Sequence, residues 1–237
     1  MSEYVNNWHR VWSNRQHAIN QDLGVSPLHK LISLDGFDSP LGTMAEGDWN
    51  AYLSLFAQRC GLESGDSIFE VGCGSGAFLF PLWLRGHPVG GLDYSSELVL
   101  MAQSVMPGSV IYAQEATQFS DDEKSDHVIA NHVIHYFSSL DYAQRVLDKM
   151  LRKATKTVYI SGIPNAEYRA ESECERRGLL SPKEYEAKYA GLEILYFYWT
   201  FFADLAKKHN AYTVDFFTHD MPGFAQNRFR FDALFKK

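Results

Sequence analysis

Apolar positions along this chain follow two periods, one typical of helices and one typical of buried strands. From Trp49 to Cys60 they fall at i, i+3, i+4, i+7, i+8 and i+11, which is one face of an amphipathic helix, and Gly61 is placed to end it. Ile68–Val71 is a short apolar run that predicts a buried strand. Further strands are predicted, in chain order, at Pro88–Asp93, Val110–Ala113, Val128–Ala130 and Thr157–Ile160. Helical patterns separate most of these strands, so the alternation predicts βαβ units.

The C-terminal part of the chain interrupts this alternation. Residues 165–193 form a charged, helical insertion, in which Ser181 and Glu184 have the spacing of a capping box with Pro182 at the first helical position. A last helix follows around Phe201 to Ala206. Residues 212–217 and 228–235 then predict two closing strands.

The first 47 residues show no strong periodicity. A short helix carrying Trp8, Val11 and Trp12 is followed by a loop-rich span with several prolines and glycines. Such a length without regular structure is uncommon in a compact domain unless it covers something. We therefore predict an N-terminal lid at 1–47 and one main domain at 48–237, with the insertion at about 165–193.

A glycine-rich turn joins the strand Ile68–Val71 to the apolar run Phe78–Leu84, which predicts a helix. Gly72, Gly74 and Gly76 allow positive φ and leave no Cβ between the backbone and a ligand. A ligand can therefore lie against this turn and meet the N–H groups of the helix start. The turn is predicted to cradle a cofactor.

Two acids flank the turn and make it more specific. Glu70 lies two residues before the first glycine, at the end of a strand where a carboxylate is costly to bury without a partner. Asp93 ends the next predicted strand, 17 residues after Gly76, where a carboxylate in a βαβ unit reaches the two hydroxyls of a ribose. The alternative is that both acids only cap helices.

These residues carry a family resemblance. The segment Glu70-Val-Gly-Cys-Gly-Ser-Gly76 resembles the E/D-x-G-x-G-x-G signature of class I S-adenosylmethionine (SAM) dependent methyltransferases, and Gly91-Leu-Asp-Tyr-Ser95 resembles their second signature. The resemblance covers roughly residues 53–163. It implies SAM as cofactor and an α/β fold: a Rossmann-like, seven-stranded, mostly parallel sheet with an antiparallel last strand and helices on both faces.

A dinucleotide-binding Rossmann domain is the nearest competing interpretation of the glycine turn. Gly72, Gly74 and Ala77 also satisfy its looser glycine pattern. The resemblance to methyltransferases places Glu70 near the amino group of the cofactor's methionine end. A pyrophosphate site would have no use for a negative charge at this position, so Glu70 favours SAM.

The resemblance also assigns cofactor contacts along the chain. They are Glu70, Gly72, Cys73, Gly74, Gly76, Asp93, Tyr94, Glu115, Ala116 and Asn131. Glu115 stands where the family usually has Asp, and it is either a contact of the adenine amine or a solvated loop acid.

Two histidines follow the fourth predicted strand and are the candidates for catalysis. His132 is the first choice for a general base and His135 the second, because an imidazole titrates near neutrality and a hydroxyl acceptor must lose its proton. The alternative for both is helix packing. No carboxylate pair accompanies the two histidines, so we predict no metal site. The Asp/Asn-Pro-Pro-Tyr/Phe motif of amino-methyltransferases is not present either, so this region does not identify the acceptor atom.

Aromatic residues in the lid, in the insertion and just after the insertion are the candidates for substrate binding. They are Tyr4, Trp8, Trp12, Tyr185, Tyr189 and Tyr196. The insertion tyrosines could hold an aromatic acceptor by stacking or an ammonium acceptor by cation–π attraction, which is worth about 0.5–2 kcal/mol per contact. Ordinary packing remains the alternative for the lid residues, and a dimer surface for the tyrosines.

Composition limits the partners and the cellular compartment that we expect for this protein. A net charge of −7 without clusters of Lys and Arg argues against a nucleic-acid partner. Cys60, Cys73 and Cys174 have no paired spacing, which fits a reducing compartment, and there is no signal core or apolar run of about 18 residues. We therefore expect a cytoplasmic protein without membrane association, and we leave open whether it is a monomer or a homodimer.

The function predicted from the sequence is SAM-dependent methyl transfer to an O or N atom of a small molecule by metal-independent in-line displacement. One alternative is a noncatalytic SAM-fold protein that binds a partner chain. The other is a nicotinamide (NAD) dependent oxidoreductase.

Overall fold

The computed structural model describes Trp8, Val11, Trp12 and residues 25–39, 42–178 and 180–237. A seven-stranded sheet lies at its centre, and a separate two-stranded ribbon is formed by β1 (Asp38–Ser39) and β2 (Gly42–Thr43). The strands of the large sheet are β3 (Ile68–Val71), β4 (Val89–Asp93), β5 (Val110–Ala113), β6 (Ser125–Asn131), β7 (Ala154–Pro164), β8 (Thr213–Thr218) and β9 (Arg230–Lys236).

In residues 25–39, 42–178 and 180–237, eight α-helices surround the sheet. They are α1 (Pro27–Leu34), α2 (Glu46–Cys60), α3 (Leu79–Leu84), α4 (Ser96–Val105), α5 (Leu140–Lys153), α6 (Arg169–Gly178), α7 (Pro182–Tyr189) and α8 (Trp199–Lys208).

The strand order is β5-β4-β3-β6-β7-β9-β8. Neighbouring strands from β5 to β7 are parallel, whereas β9 pairs antiparallel with both β7 and β8. The predicted seven-stranded, mostly parallel sheet with an antiparallel last strand is therefore confirmed. Because β3 lies between β4 and β6, the glycine turn that leaves β3 is at the middle of the sheet edge.

Local sequence signals start and stop the helices as expected. Ser95 and Ser139 accept hydrogen bonds from the first turns of α4 and α5. Ser181 and Glu184 form the predicted capping box of α7. Gly61 ends α2 in the left-handed conformation, with its N–H bonded to the last turn.

The core consists of two apolar layers, one on each face of the sheet. The first packs α1 to α4 against the sheet and includes Leu31, Trp49, Phe56, Phe78, Val99 and Ile129. The second packs α5 and α8 against the other face and includes Val71, Val128, Val146, Met150, Phe202 and Phe235. Helices therefore cover both faces, as predicted.

One expectation from the sequence is wrong. Residues 27–34 were expected to be loop, but they form α1, which begins where Ser26 accepts a hydrogen bond from His29 N and Pro27 stands at the first helical position. Leu31 and Ile32 are buried in the first apolar layer. The high density of proline and glycine around this segment hid an ordinary helix start.

Strand β7 is longer than the predicted Thr157–Ile160. It continues to Pro164, and its register with β9 shifts between Ile160 and Ile163. Such an irregularity bends a strand and releases backbone groups from the ladder. Gly162, inside this irregular part, becomes available for contacts with side chains.

None of the helices in the described part of the chain combines the length and the apolar character needed to cross a membrane.

The first apolar layer yields a stability prediction. Phe56 is fully buried, with its ring 5.1 Å from that of Phe78 and 5.6 Å from that of Tyr159. Phe56→Ala should lower the free energy of unfolding by about 3–5 kcal/mol, because it removes apolar contacts and leaves a cavity. Urea denaturation measures the loss. Leu100→Ala, at an exposed position of α4, is the control and should change stability by less than about 0.5 kcal/mol, and equal losses would contradict the layer described here.

Candidate active site

A cavity of about 280 Å³ lies at the carboxyl ends of β3, β4 and β6. This is the edge at which ligands bind in open α/β sheets. The residues that line it from the glycine turn and the following strands include Gly72, Cys73, Gly74, Asp93, Tyr94, Glu115, Ala116, Asn131, His132 and His135. The structure therefore brings most of the residues singled out in the sequence to one place.

The glycine turn lies against the loop that leaves β6. Gly72 has a φ of 75°, and a Cβ at this position would lie 2.4 Å from Val133 Cγ2. The N–H groups of Gly72 and Cys73 both donate to Leu92 O, which ties the turn to β4. Gly76 is different, because its Cα faces Ala102 of α4 and Met106, the residue after α4, and not the cavity.

Glu70 is a buried carboxyl group without compensation. It is 2% exposed, and its Oε2 has no hydrogen-bond partner among the described residues. Burial, and then the nearby Asp35 and Asp93, raise the pKa of Glu70 well above its ordinary value. An unpartnered buried carboxyl on the cavity wall favours a ligand with a positive group.

Asp93 and Asp35 both accept hydrogen bonds from the glycine turn. Asp93 accepts from Gly74 N at 3.0 Å and from Ser95 N at 2.9 Å. Asp35, the residue after α1, accepts from Ser75 N at 2.6 Å and from Ala77 N at 3.1 Å. Burial raises the pKa of Asp35 to about 7, against the lowering effect of these hydrogen bonds. Asp35 was not predicted as a site residue.

The adenine-side candidates after β5 also lie on the cavity. Glu115 Oε2 accepts a hydrogen bond from Tyr142 OH at 3.2 Å, so a residue of α5 orients this carboxylate. Ala116 lies beside it on the cavity wall. Phe119, in contrast, is buried against Phe69 and belongs to the core.

Asn131 and His132 end β6 in two different ways. Asn131 Oδ1 accepts hydrogen bonds from Tyr52 OH at 2.9 Å and Ser161 Oγ at 2.7 Å, which fixes the amide. His132 has a φ of 52°, a conformation that is unusual and strained for a residue with a side chain. Its N–H donates to Ser161 O at 3.1 Å. A strained residue at a strand end on a cavity is typical of functional sites.

The imidazole of His132 begins a chain of buried hydrogen bonds. His132 Nε2 lies 3.0 Å from His219 Nε2, and His219 Nδ1 lies 2.8 Å from Asp232 Oδ1. Asp232 also accepts from Arg59 at 2.6 Å, from Tyr159 OH at 2.7 Å and from Gly162 N at 2.9 Å. We call His132, His219 and Asp232 the histidine relay.

The charges of the relay follow from this geometry. Burial by itself would raise the pKa of Asp232, but the hydrogen bonds from His219, Gly162 N and Tyr159 hold it below its ordinary value. Burial lowers the pKa of His132 well below its ordinary value, and the neighbouring His219 and Arg230 lower it further. At neutral pH the relay therefore consists of a neutral His132 and an ionised Asp232.

His135 lies in a short 3₁₀ turn, Ile134–Tyr136, and does not join the relay. It is buried, and its Nδ1 has no hydrogen-bond partner in the described part of the chain. Burial lowers the pKa of His135 well below its ordinary value. His135 lines the cavity beside Tyr136, with ring centroids 4.0 Å apart.

Comparison with known protein families agrees with this geometry. Residues 69–159, which include the glycine turn, Asp93, Asn131 and His132, match the family model of a methyltransferase domain. Over these residues the chain is similar to a methyltransferase domain. The resemblance to class I methyltransferases predicted from the sequence is thus confirmed.

Relatives of this methyltransferase domain are distant. An uncharacterized protein of Haemophilus influenzae is 24% identical over 151 residues, which cover 60% of this chain and 55% of that protein. The plantazolicin methyltransferase BpumL, in complex with a triazolic desmethylPZN analog and SAH, has a TM-score of 0.66 and 14% identity over 98% of this chain and 99% of that chain. The magnesium protoporphyrin IX methyltransferase of Synechocystis PCC 6803, with bound SAH, has a TM-score of 0.61 and 16% identity over 97% of this chain and 95% of that chain. At these identities the structural likenesses show the fold.

The N-terminal tryptophans contribute to the cavity of the methyltransferase domain. Trp8 and Trp12 lie on its wall, with ring centroids 4.5 Å and 5.4 Å from that of Tyr136. Trp8 O accepts from Tyr94 OH at 3.1 Å, and Trp8 Nε1 donates to Glu193 O at 2.6 Å. The N-terminal segment therefore connects the second signature with the insertion. That residues 1–47 act as a lid stays a prediction. Tyr4 lies outside the described residues.

The three candidate tyrosines in and just after the insertion have different positions. Tyr189 lines the cavity. Tyr185 lies behind it, with ring centroids 4.9 Å apart and Arg177 over its outer face, and Tyr196 packs under Arg169. Direct contact with a ligand in this cavity is therefore open to Tyr189 and not to the other two.

Several residues on the methyltransferase cavity were missed from the sequence. They are Asp35, Phe37, Phe224 and Arg230 on the wall, with His219 and Asp232 behind it. The sequence does contain a signal for Arg230 and Asp232, because charged residues within a mostly apolar closing strand indicate a buried polar site. Asp35 had none, since nothing local indicates that it reaches the glycine turn. In the described ranges no three or more His, Cys, Asp or Glu are grouped as a metal site requires.

Asp35 yields a prediction on pH and stability. Its pKa of about 7 in the folded protein lies above the ordinary value of 3.8, so the folded protein keeps a proton that the unfolded chain has already released between these two values. The stability that comes from this bound proton is fully present below pH 3.8 and is lost as the pH rises through about 7.

Asp35→Asn should therefore gain stability relative to the parent protein between about pH 5 and about pH 8. Urea denaturation at both pH values measures the difference in free energy of unfolding. Asp35→Ala, which loses both hydrogen bonds where Asn can keep one, should start less stable but show the same trend. A difference that does not change with pH would show that Asp35 is ionised throughout.

Proposed function

We propose that this protein is a SAM-dependent methyltransferase that methylates an O or N atom of a small molecule. The observation that carries the proposal is the buried, unpartnered Glu70 carboxyl next to a glycine turn at the carboxyl edge of the sheet. A cationic amino group fits this position, and a pyrophosphate does not. The match of residues 69–159 to a methyltransferase domain and the SAH-bound structural neighbours support the same assignment.

The residues on the cavity fit each part of SAM. Asp93 would accept from the ribose hydroxyls, and Glu70 would hold the amino group. Glu115, Ala116 and Tyr94 would surround the adenine. The cavity end formed by Glu70, Asp35 and Asp93 brings three carboxyl groups together, and burial raises the pKa of Glu70 and of Asp35. A ligand with an ammonium and a sulfonium group would favour the ionised forms of these carboxyl groups.

When bound, SAM supplies a methyl group that its sulfonium sulfur already makes electrophilic. The chain's own residues need only orient the acceptor and exclude water. Trp8, Trp12, Phe37 and Tyr136 form an aromatic wall that can do both. Alignment of two reactants can contribute roughly 7–11 kcal/mol to lowering the barrier.

His132 is the base in this proposal, and the relay gives it a defined tautomer. Ionised Asp232 accepts from His219 Nδ1–H, so His219 Nε2 is left as an acceptor for His132 Nε2–H. The lone pair is then on His132 Nδ1, which has no hydrogen-bond partner among the described residues. When Nδ1 takes the acceptor's proton, the proton on Nε2 can pass to His219, where Asp232 stabilises the resulting imidazolium.

This arrangement solves a difficulty that burial creates. A buried imidazole with a lowered pKa is a weak base by itself. Transfer of the positive charge to His219, next to Asp232, places it where an anion compensates it. His219 and Asp232 are thus positioning residues, and His135 remains a second candidate because it lies on the cavity without a partner.

Thermal-shift titration with SAM, S-adenosylhomocysteine (SAH) and NAD tests the cofactor. SAM and SAH should raise the melting temperature by mass action, and NAD should not. Stabilisation by NAD alone would indicate an oxidoreductase. Stabilisation by SAM without methyl transfer to any member of a broad panel of small hydroxy and amino compounds would favour a noncatalytic binding protein.

Asp93→Ala should weaken SAH binding more than about tenfold, because the ribose loses a charge-assisted hydrogen-bond acceptor. Isothermal titration calorimetry measures the affinity, and circular dichroism checks that the variant is folded. Asp215→Ala removes an exposed carboxylate on β8 and serves as the control with parental affinity. If Asp93→Ala also retained parental affinity, Asp93 would have no ribose role.

His132→Ala should lower kcat by about 10²–10⁴-fold for a hydroxyl acceptor while changing SAH affinity by less than about threefold. His219→Ala should lower kcat in the same direction by a smaller factor. His87→Ala, at the opposite edge of the sheet, is the control with parental kcat. Equal losses of kcat and of SAH affinity in His132→Ala would assign this residue to packing.

The tautomer of His219 can be checked without an acceptor. Nitrogen-15 NMR of the histidine rings should show His219 protonated at Nδ1, and Asp232→Asn should change its signals. Protonation of His219 at Nε2 alone would contradict the relay.

A further inference from the structure

Arg230 gives the cavity a positive end. Among the described residues on the cavity wall, it is the one with a permanent positive charge. It is the first residue of β9, its guanidinium donates to Gly162 O, and its Cζ lies 5.4 Å from the centroid of the Phe224 ring. The side chain is therefore fixed by the backbone and by an aromatic ring of the same wall.

Arg230 makes no direct ion pair with a carboxylate in the described part of the chain, although the charge of Asp232 acts on it from a distance. No carboxylate oxygen there lies within 4.0 Å of its nitrogens. The nearby Asp232 directs its oxygens to Arg59, Tyr159, His219 and Gly162 N. A guanidinium held in a protein wall without an anion is costly, and a bound anion removes that cost.

A second guanidinium strengthens the positive potential. Arg176 of α6 has a buried Nε without a hydrogen-bond partner in the described ranges, and its charge acts on both Arg230 and His135. Burial lowers the pKa of Arg230 to about 10, and Arg176 contributes to this lowering, whereas Tyr136, Tyr196 and Asp232 act to raise it. A pKa of about 10 leaves Arg230 protonated at neutral pH. Both cations act at the same side of the cavity.

Charge thus divides the cavity into two ends. Glu70, Asp35 and Asp93 stand at the glycine turn, whereas Arg230 stands beside the histidine relay. Phe224 connects Arg230 and His132, since the ring centroids of His132 and Phe224 are 5.0 Å apart. The carbonyl of Gly162 accepts from Arg230, and the His132 ring covers the Cα of the same glycine. A group bound to Arg230 lies next to the proposed base.

We propose that Arg230 binds a carboxylate of the methyl acceptor, which makes the acceptor a small carboxylic acid with an aromatic or apolar body. This inference rests on the proposed methyltransferase function. Trp12 and Tyr136 of the aromatic wall, together with Phe224, receive the body of the acid, and the guanidinium fixes its orientation by charge-assisted hydrogen bonds.

Calorimetry on the full-length protein saturated with SAH tests the proposal. The probes are matched pairs of acid and amide: 4-hydroxybenzoate with 4-hydroxybenzamide, 4-hydroxyphenylacetate with its amide, and indole-3-acetate with its amide. At least one acid should bind about tenfold or more tightly than its amide, because the amide leaves the guanidinium without an anion.

Arg230→Gln should abolish the preference for the acid, and Arg230→Lys should retain part of it. Arg228→Gln is the matched control, because Arg228 lies two positions away, is exposed and pairs with Glu175. It should bind the acids as the parent protein does. SAH affinity should change by less than about threefold in all three variants.

Three results would overturn the proposal. One is equal binding of acids and amides by the parent protein, and another is that no acid of the panel binds at millimolar concentration. The third is a loss of SAH affinity in Arg230→Gln of about tenfold or more, which would show that Arg230 holds the cofactor's own carboxylate. Failure of the proposed function looks different, because the parent protein would then not bind SAH.

Discussion

The carboxylate of Asp232 joins more of the structure than any local motif does. Its oxygens accept from Arg59 of α2, from Tyr159 and Gly162 of β7 and from His219, which follows β8. A fully buried carboxylate is tolerated only when such donors compensate it, and removal of any one would leave a costly charge. The closing strand β9 is therefore fixed against both the sheet and α2. The position of His219, and through it that of His132, depends on this single group.

Because the oxygens of Asp232 accept from other donors, Asp232 makes no direct ion pair with Arg230, its neighbour two residues earlier on β9, and acts on it only from a distance. The same constraint holds at the other end of the cavity, where Asp35 and Asp93 accept from the glycine turn and Glu70 has no partner of its own among the described residues. One end thus holds buried carboxyl groups that lack a cation for their ionised forms, and the other holds a guanidinium that is not directly paired with a carboxylate of the described residues. Natural proteins accept such a cost where a ligand supplies the opposite charge. A cationic cofactor at one end and an anionic acceptor at the other would remove both costs together.

How far the sequence predicts this site depends on the range over which each contact acts. The glycine turn, Glu70 and Asp93 are signalled by apolar runs and spacings within a single βαβ unit, and the fold follows from repeating that unit. Asp35 contacts Ser75 across 40 positions, and His132 contacts His219 across 87. The first contact exists because α1 packs against the glycine turn, and the second because the strand order places β9 beside β7 and β8 beside β9. Periodicity carries no information about either arrangement. The helix α1 was missed for a different reason. Ser26 and Pro27 are a local signal for its start, but the surrounding glycines and prolines favoured a loop.

Gly162 shows how the two charged systems are coupled. The register shift in β7 releases its backbone from the ladder, so that its N–H donates to Asp232 and its carbonyl accepts from Arg230. Its φ is +67°, and a Cβ would lie 2.5 Å from His132 Nε2, so only glycine allows the imidazole to lie this close. The strain at His132, of order 1–3 kcal/mol for such a conformation, is maintained by Ser161 O on one side and by this glycine on the other. The proposed base, the carboxylate that supports it and the cation that would orient the acceptor therefore share one residue of backbone, and movement of that residue would displace all three.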